Sequence, residues 1–170
     1  DAHLNIDCIL TIYVKERRWC MLLTEKKNLI ILRAGDNSLH PSWFSVKKRN
    51  WDLVLSYYGE NENPFPGCYD IFHGFRGSKW QGIHDFVSKN EDMLKKYEQI
   101  WLPDDDIMIG GEQINRFFDI NYDLGFDLSQ PSLKIFSYVS HAITIRRPSH
   151  LARVTNFVEI MAPCFSSRAF

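Results

Sequence analysis

The chain has 170 residues and a mass of 20.0 kDa, enough for one domain with its own core. Apolar residues make up 45% and charged residues 24%, ordinary globular values that exclude a disordered tail. A net charge of −1 argues against a general nucleic-acid binder, whose phosphate partners require a basic surface.

In chain order, Ile6 to Val14 is the most apolar early stretch, but it carries Asp7 and has neither the charged flank nor the cleavage site of a signal peptide. No apolar run reaches the roughly 18 residues of a membrane span, so any membrane attachment would come from an anchor upstream of Asp1. Residues 28–33 form a buried strand ended by the turn signal Ala34-Gly35-Asp36-Asn37. Trp51 to Tyr58 is a second strand, residues 60–67 a loop and Tyr69 to Phe75 a third strand. Gln81 to Tyr97 reads as one helix, with Ile83, Phe86, Val87, Met93, Leu94 and Tyr97 along one side. Ile100 to Pro103 is a short strand, followed by Asp104-Asp105-Asp106 and a helix from Gly111 to Tyr122. Residues 123–137 are turn-rich around Pro131, and His141 to Arg147 and Arg153 to Met161 read as two final strands.

Strands alternating with helices predict an α/β fold, a mostly parallel sheet covered on both faces. Ligands of such sheets collect at the carboxyl ends of the strands. Gly35-Asp36, Tyr57-Tyr58 and Asp104 to Asp106 all fall at such ends.

Charge is unevenly spread. Residues 51–130 hold 15 acidic and 6 basic groups, whereas both flanking segments are net basic. A solvated acidic face and a metal site meeting an anionic ligand both fit this pattern. The cysteines Cys8, Cys20, Cys68 and Cys164 form no C-x-x-C pair and no regular framework, so free thiols are expected. In an extended segment Asp104 and Asp106 share a face, a spacing that suits a hard divalent cation such as Mg²⁺ or Mn²⁺. The same triplet would also complement the dipole of the helix near Gly111. The P-loop, the dinucleotide glycine motif, the H-E-x-x-H zinc motif and the G-x-S-x-G nucleophile elbow are all missing from the sequence.

Seven segments, in one order, resemble a known family: NLIILRAGDNSLH (28–40), WDLVLSYYG (51–59), GSKWQGIHD (77–85), YEQIWLPDDDI (97–107), DLSQPSL (127–133), SYVSH (137–141) and TNFVEIMAPCFS (155–166). They are similar to domain-of-unknown-function family 707 of plants and bacteria, whose plant members carry the label "lysine ketoglutarate reductase trans-splicing related". The resemblance spans residues 28–170 and leaves 1–27 as an N-terminal extension. It implies a GT-A-like, Rossmann-like fold, shortened at its C-terminus relative to the family. No RNA-binding module supports the trans-splicing label.

The resemblance also implies a function. The domain would be a metal-dependent glycosyltransferase, using Mn²⁺ or Mg²⁺ to bind a nucleotide-diphosphate sugar and passing the sugar to a glycan or other hydroxyl acceptor. Asp104 and Asp106 would form its D-x-D metal motif, with His141 as a third ligand. Arg33, Gly35 and Asp36 would line the nucleotide loop, Tyr57 and Tyr58 would stack on base or ribose, and Lys79 would reach a phosphate. Glu159 would orient or deprotonate the acceptor. The alternatives are a catalytically silent binding domain and a metal-dependent phosphoester hydrolase using the same carboxylates. A plant protein of this kind would be Golgi-anchored, a bacterial one cytoplasmic.

Overall fold

A computed structural model describes residues 4–12, by their backbone alone, and 28–170. The described chain is a mixed α/β fold with a six-stranded, mostly parallel sheet and three α-helices, compatible with a Rossmann-like arrangement. Ten strands are present among the described residues: β1 (Leu4–Ile12), β2 (Asn28–Ala34), β3 (Trp51–Tyr57), β4 (Ile71–Gly74), β5 (Gln99–Trp101), β6 (Ile107–Met108), β7 (Leu128–Ser129), β8 (Pro131–Leu133), β9 (Ala152–Val154) and β10 (Cys164–Ser166). The helices are α1 (Lys79–Lys89), α2 (Glu91–Leu94) and α3 (Gly111–Leu124). None is long and apolar enough to cross a membrane.

The main sheet runs in the order β4-β3-β2-β5-β10-β7. β4, β3, β2 and β5 are parallel, and β10 is antiparallel to both of its neighbours. Every residue of β2 is buried, as expected for a central strand covered on both faces. Its alternation divides the core. Ile30, Leu32 and Ala34 join Trp43, Trp101, Phe117 and Phe118 on the α3 side, whereas Leu29 and Ile31 join Ile83, Phe86, Leu94 and Tyr97 under α1 and α2.

Register creates the site. β2 pairs with β3 along its full length, from Asn28↔Trp51 to Ala34↔Tyr57. Its ladder with β5 stops at Ile30↔Trp101. Beyond that pair the chain turns instead toward the segment before β10: Leu102 N–H donates to the Pro163 carbonyl at 2.9 Å and Asp104 N–H to that of Met161 at 2.7 Å. A crevice therefore opens between the carboxyl ends of β2 and β5. The strand order also reverses there, the usual ligand position in open α/β sheets.

Several elements differ from the sequence reading. The single helix expected over Gln81–Tyr97 begins at Lys79 and breaks at Asn90, whose side-chain amide donates to the Phe86 carbonyl at 2.8 Å. The turn-rich 123–137 stretch contains β7 and β8. The strand expected over His141–Arg147 is a 3₁₀ turn at Ala142–Thr144, because Thr144 Oγ1 bonds the His141 carbonyl at 2.8 Å and closes the backbone locally. Of the strand expected over Arg153–Met161 only Arg153 and Val154 are extended, within β9, since Thr155 Oγ1 bonds the Phe157 carbonyl at 2.8 Å. β10 has no counterpart among the strands that the sequence pattern predicts.

A second sheet forms around β1, which pairs with β6 and β9 in parallel and with β8 antiparallel. Leu4–Ile12 thus joins the fold although it lies in the segment outside the family resemblance. Cys68 and Cys164 are free thiols; the side chain of Cys8 and all of Cys20 lie outside the described residues.

α3 packs tightly on the core at Gly111, where an added Cβ would sit 2.3 Å from the Trp43 carbonyl oxygen and 2.5 Å from a Val46 methyl. Gly111→Ala should therefore cost about 1–3 kcal/mol through overpacking. Urea unfolding would show it as a lower midpoint at unchanged slope.

Candidate functional site

The acidic triplet lies in the crevice, but not as an extended run. Asp105 and Asp106 sit in a turn, so simple alternation does not describe their side chains. Asp105, the residue that the D-x-D reading passes over, points inward. Its Oδ2 accepts the Gly35 N–H at 2.9 Å, and its carbonyl accepts the Leu39 N–H at 2.8 Å. Burial raises its pKa, partly opposed by the Gly35 bond. Asp105 therefore ties the exit of β5 to the exit of β2.

Asp104 faces Lys79, the first residue of α1. Lys79 Nζ donates to Asp104 Oδ1 at 2.6 Å and to the carbonyls of Ile160 and Met161 at 3.0 and 3.2 Å. Burial lowers the Lys79 pKa despite Asp104, and raises that of Asp104 despite Lys79. Asp106 is exposed beside the pair.

Arg33 is nearly fully buried on the α1 side. Nη1 donates to the carbonyls of Ser56 and Phe75 at 3.0 and 3.1 Å and to Ser56 Oγ at 3.1 Å, while Nη2 donates to the Gly77 carbonyl at 2.7 Å. Its two terminal nitrogens bond the ends of β3 and the segment after β4, while the buried Nε has no partner, so Arg33 holds the edge together rather than meeting solvent. An added Cβ at Gly82 would approach its Nε to 2.7 Å, which explains a glycine inside α1.

The Tyr58 ring lies over Arg33, with its centroid 5.0 Å from the guanidinium carbon, and covers Gly35, where an added Cβ would meet the ring at 2.9 Å. Tyr58 remains 45% exposed. Tyr57 is buried. Its hydroxyl donates to Asp36 Oδ1, which also accepts the Asn61 side-chain amide at 2.7 Å. That bond from Tyr57, with the Glu60 N–H on Oδ2, holds the Asp36 carboxyl below its usual range. Asp36 and Tyr57 close the loop after β3.

Glu159 is 9% exposed and its Oε2 has no hydrogen-bond partner. Burial raises its pKa; the charge of His141 opposes this and that of Asp104 adds to it. Its own N–H donates to Gln130 Oε1. His141 is exposed and packs on Phe157 at 4.6 Å between ring centroids. Among the described residues no three His, Cys, Asp or Glu side chains close around one point. The donor set suits a cation that keeps most of its waters and takes one or two carboxylates plus ligand phosphate.

The chain was compared with protein-family models, curated proteins and solved structures, and none matches it.

The unpartnered Glu159 carboxylate gives a pH signature. A folded-state pKa above the ordinary value means that ionisation weakens the fold as pH rises through the raised value, and that the loss is recovered on acidification. Glu159→Gln should therefore melt higher than the wild type at about pH 8, with the gap narrowing toward about pH 4.5. Calorimetric melting at the two pH values checks this, and an equal gap at both would refute it.

Proposed function

We propose that this domain binds a nucleotide-diphosphate sugar at the β2–β5 crevice and transfers the sugar to an acceptor hydroxyl, as a GT-A-type glycosyltransferase of the family 707 kind. The observation that carries the reading is the placement of Lys79, Asp104, Asp106 and the Tyr58 ring around the point where the strand order reverses. In this reading Tyr58 stacks on the base or ribose. Lys79 exchanges Asp104 for a phosphate oxygen while the Ile160 and Met161 carbonyls keep its ammonium in place. Asp106 and the second oxygen of Asp104 would hold Mn²⁺ or Mg²⁺, which neutralises the diphosphate leaving group when bound. Glu159 takes the proton from the acceptor hydroxyl. The acceptor oxygen bonds to the sugar's anomeric carbon as that carbon's bond to phosphate oxygen breaks, and the diphosphate departs. A base whose pKa is raised by burial suits that step.

The ion pair already formed by Asp104 favours a second reading, in which the crevice binds the nucleotide without transfer.

Titration calorimetry with uridine and guanosine diphosphates, with and without Mn²⁺, tests the site. Micromolar binding, about −8 kcal/mol, is expected with the metal and should weaken by about a hundredfold or more in Asp104→Ala/Asp106→Ala. Unchanged binding in that variant, or none to the folded wild type, would overturn the assignment. Binding without release of diphosphate from any donor sugar would select the second reading.

A further inference from the structure

An open cleft of about 550 Å³ lies on the outer side of α1, lined by Phe75, Arg76, Trp80, Gln81, His84 and Asp85. None of these residues belongs to the crevice site. Trp80 and His84 lie one helical turn apart, as do Gln81 and Asp85, so α1 presents an aromatic row beside a polar one. Trp80 is 42% exposed, unlike Trp43, Trp51 and Trp101, which are buried in the core.

The walls are held in advance. Asp85 Oδ2 accepts His73 Nε2 at 2.9 Å, and both Asp85 oxygens accept Lys89 Nζ. The Phe75 ring stacks on His73 at 6.0 Å, with the Arg33 guanidinium carbon 5.8 Å from its centroid on the buried side. Gln81 Oε1 accepts the Ser78 N–H at 3.0 Å, so its NH₂ group is the end left for a ligand. A site with fixed side chains loses little entropy on binding.

Shape and charge narrow the ligand. A closed pocket would enclose most of a small molecule, whereas this open cleft suits one unit of a chain lying across it. Asp85 is already paired with Lys89, so Arg76 supplies the lining's remaining formal charge, too little for a nucleic-acid strand, whose stacking platforms sit in basic grooves. A flat indole beside paired donors and acceptors matches a pyranose ring, with its C–H face on the aromatic ring and its hydroxyls bonded at the rim.

We propose that this cleft is a binding subsite for a neutral glycan chain, with one sugar stacked on Trp80 and bonded by Asp85, Arg76 and Gln81. The Trp80 ring centroid lies 5.6 Å from Lys79 Nζ, which itself contacts Asp104, so a glycan seated here extends toward the crevice. Its service as the acceptor rests on the transfer reading above; glycan binding itself does not.

The test titrates cellohexaose, xylohexaose and mannohexaose into the whole chain, followed by calorimetry and by tryptophan emission. At least one should bind and shift the emission. Trp80→Ala, a surface change outside the core, should weaken it by about tenfold or more, and Trp80→Phe by less. Binding by none of the three, or equal binding to Trp80→Ala, overturns the proposal. Glycan binding by a folded wild type that binds neither nucleoside diphosphate would leave this subsite standing and remove the transfer reading. The reverse pattern would do the opposite.

Discussion

The geometry of the crevice depends on one hydrogen bond, from the Gly35 amide to the Asp105 carboxylate across the gap between β2 and β5. β5 leaves β2 at Ile30↔Trp101, four residues before β2 ends, and no ladder bond crosses beyond it. The last turn of β2 would otherwise leave a buried amide unpaired, at a cost of about 1–3 kcal/mol. Asp105 supplies that partner, and its carbonyl then accepts Leu39 N–H, closing the loop after β2. Once the middle aspartate is committed inward, its neighbours separate. Asp104 is left facing Lys79 and Asp106 is left exposed.

The Lys79–Asp104 pair is suited to exchange. Partial burial moves each partner's pKa toward neutrality, so desolvation offsets much of their attraction. Two backbone carbonyls hold the ammonium independently of the carboxylate. Its position therefore does not depend on the carboxylate alone. Arg33 is the contrasting case. It makes four hydrogen bonds and holds the ends of β3 and β4 together, so its value is architectural.

Much of this edge was legible in the chain itself. The β2 apolar run, the glycine after it and the acidic triplet after β5 are local signals, and each falls where parallel-sheet logic places it. Asp105 escaped because alternation assumes an extended segment, whereas a turn and a bond to a residue 70 positions away decide its direction. The helix break at Asn90 escaped because the apolar spacing runs through it; Leu94 and Tyr97 still pack on the same core as Ile83 and Phe86. β7, β8 and β10 have two or three residues each, too few for a period, and exist only through their partners. The last two expected strands failed for the opposite reason. Their β-branched residues read as strand, but the Thr144 and Thr155 hydroxyls capture nearby carbonyls and bend the chain.

Those short strands matter to the chemistry. Gln130 lies between β7 of the main sheet and β8 of the second sheet, and its side chain accepts the Glu159 N–H. The carboxylate assigned to the acceptor is therefore positioned where the two sheets meet. The second sheet is built on β1, which binds β6 just after the acidic triplet and β8 just after Gln130. Leu4–Ile12 thus ties together the segment after the acidic triplet and the segment after Gln130, whose side chain holds Glu159. A residue range that carries no motif of its own bears on the separation of Asp104 from Glu159, a separation small enough for the Asp104 charge to raise the pKa of Glu159.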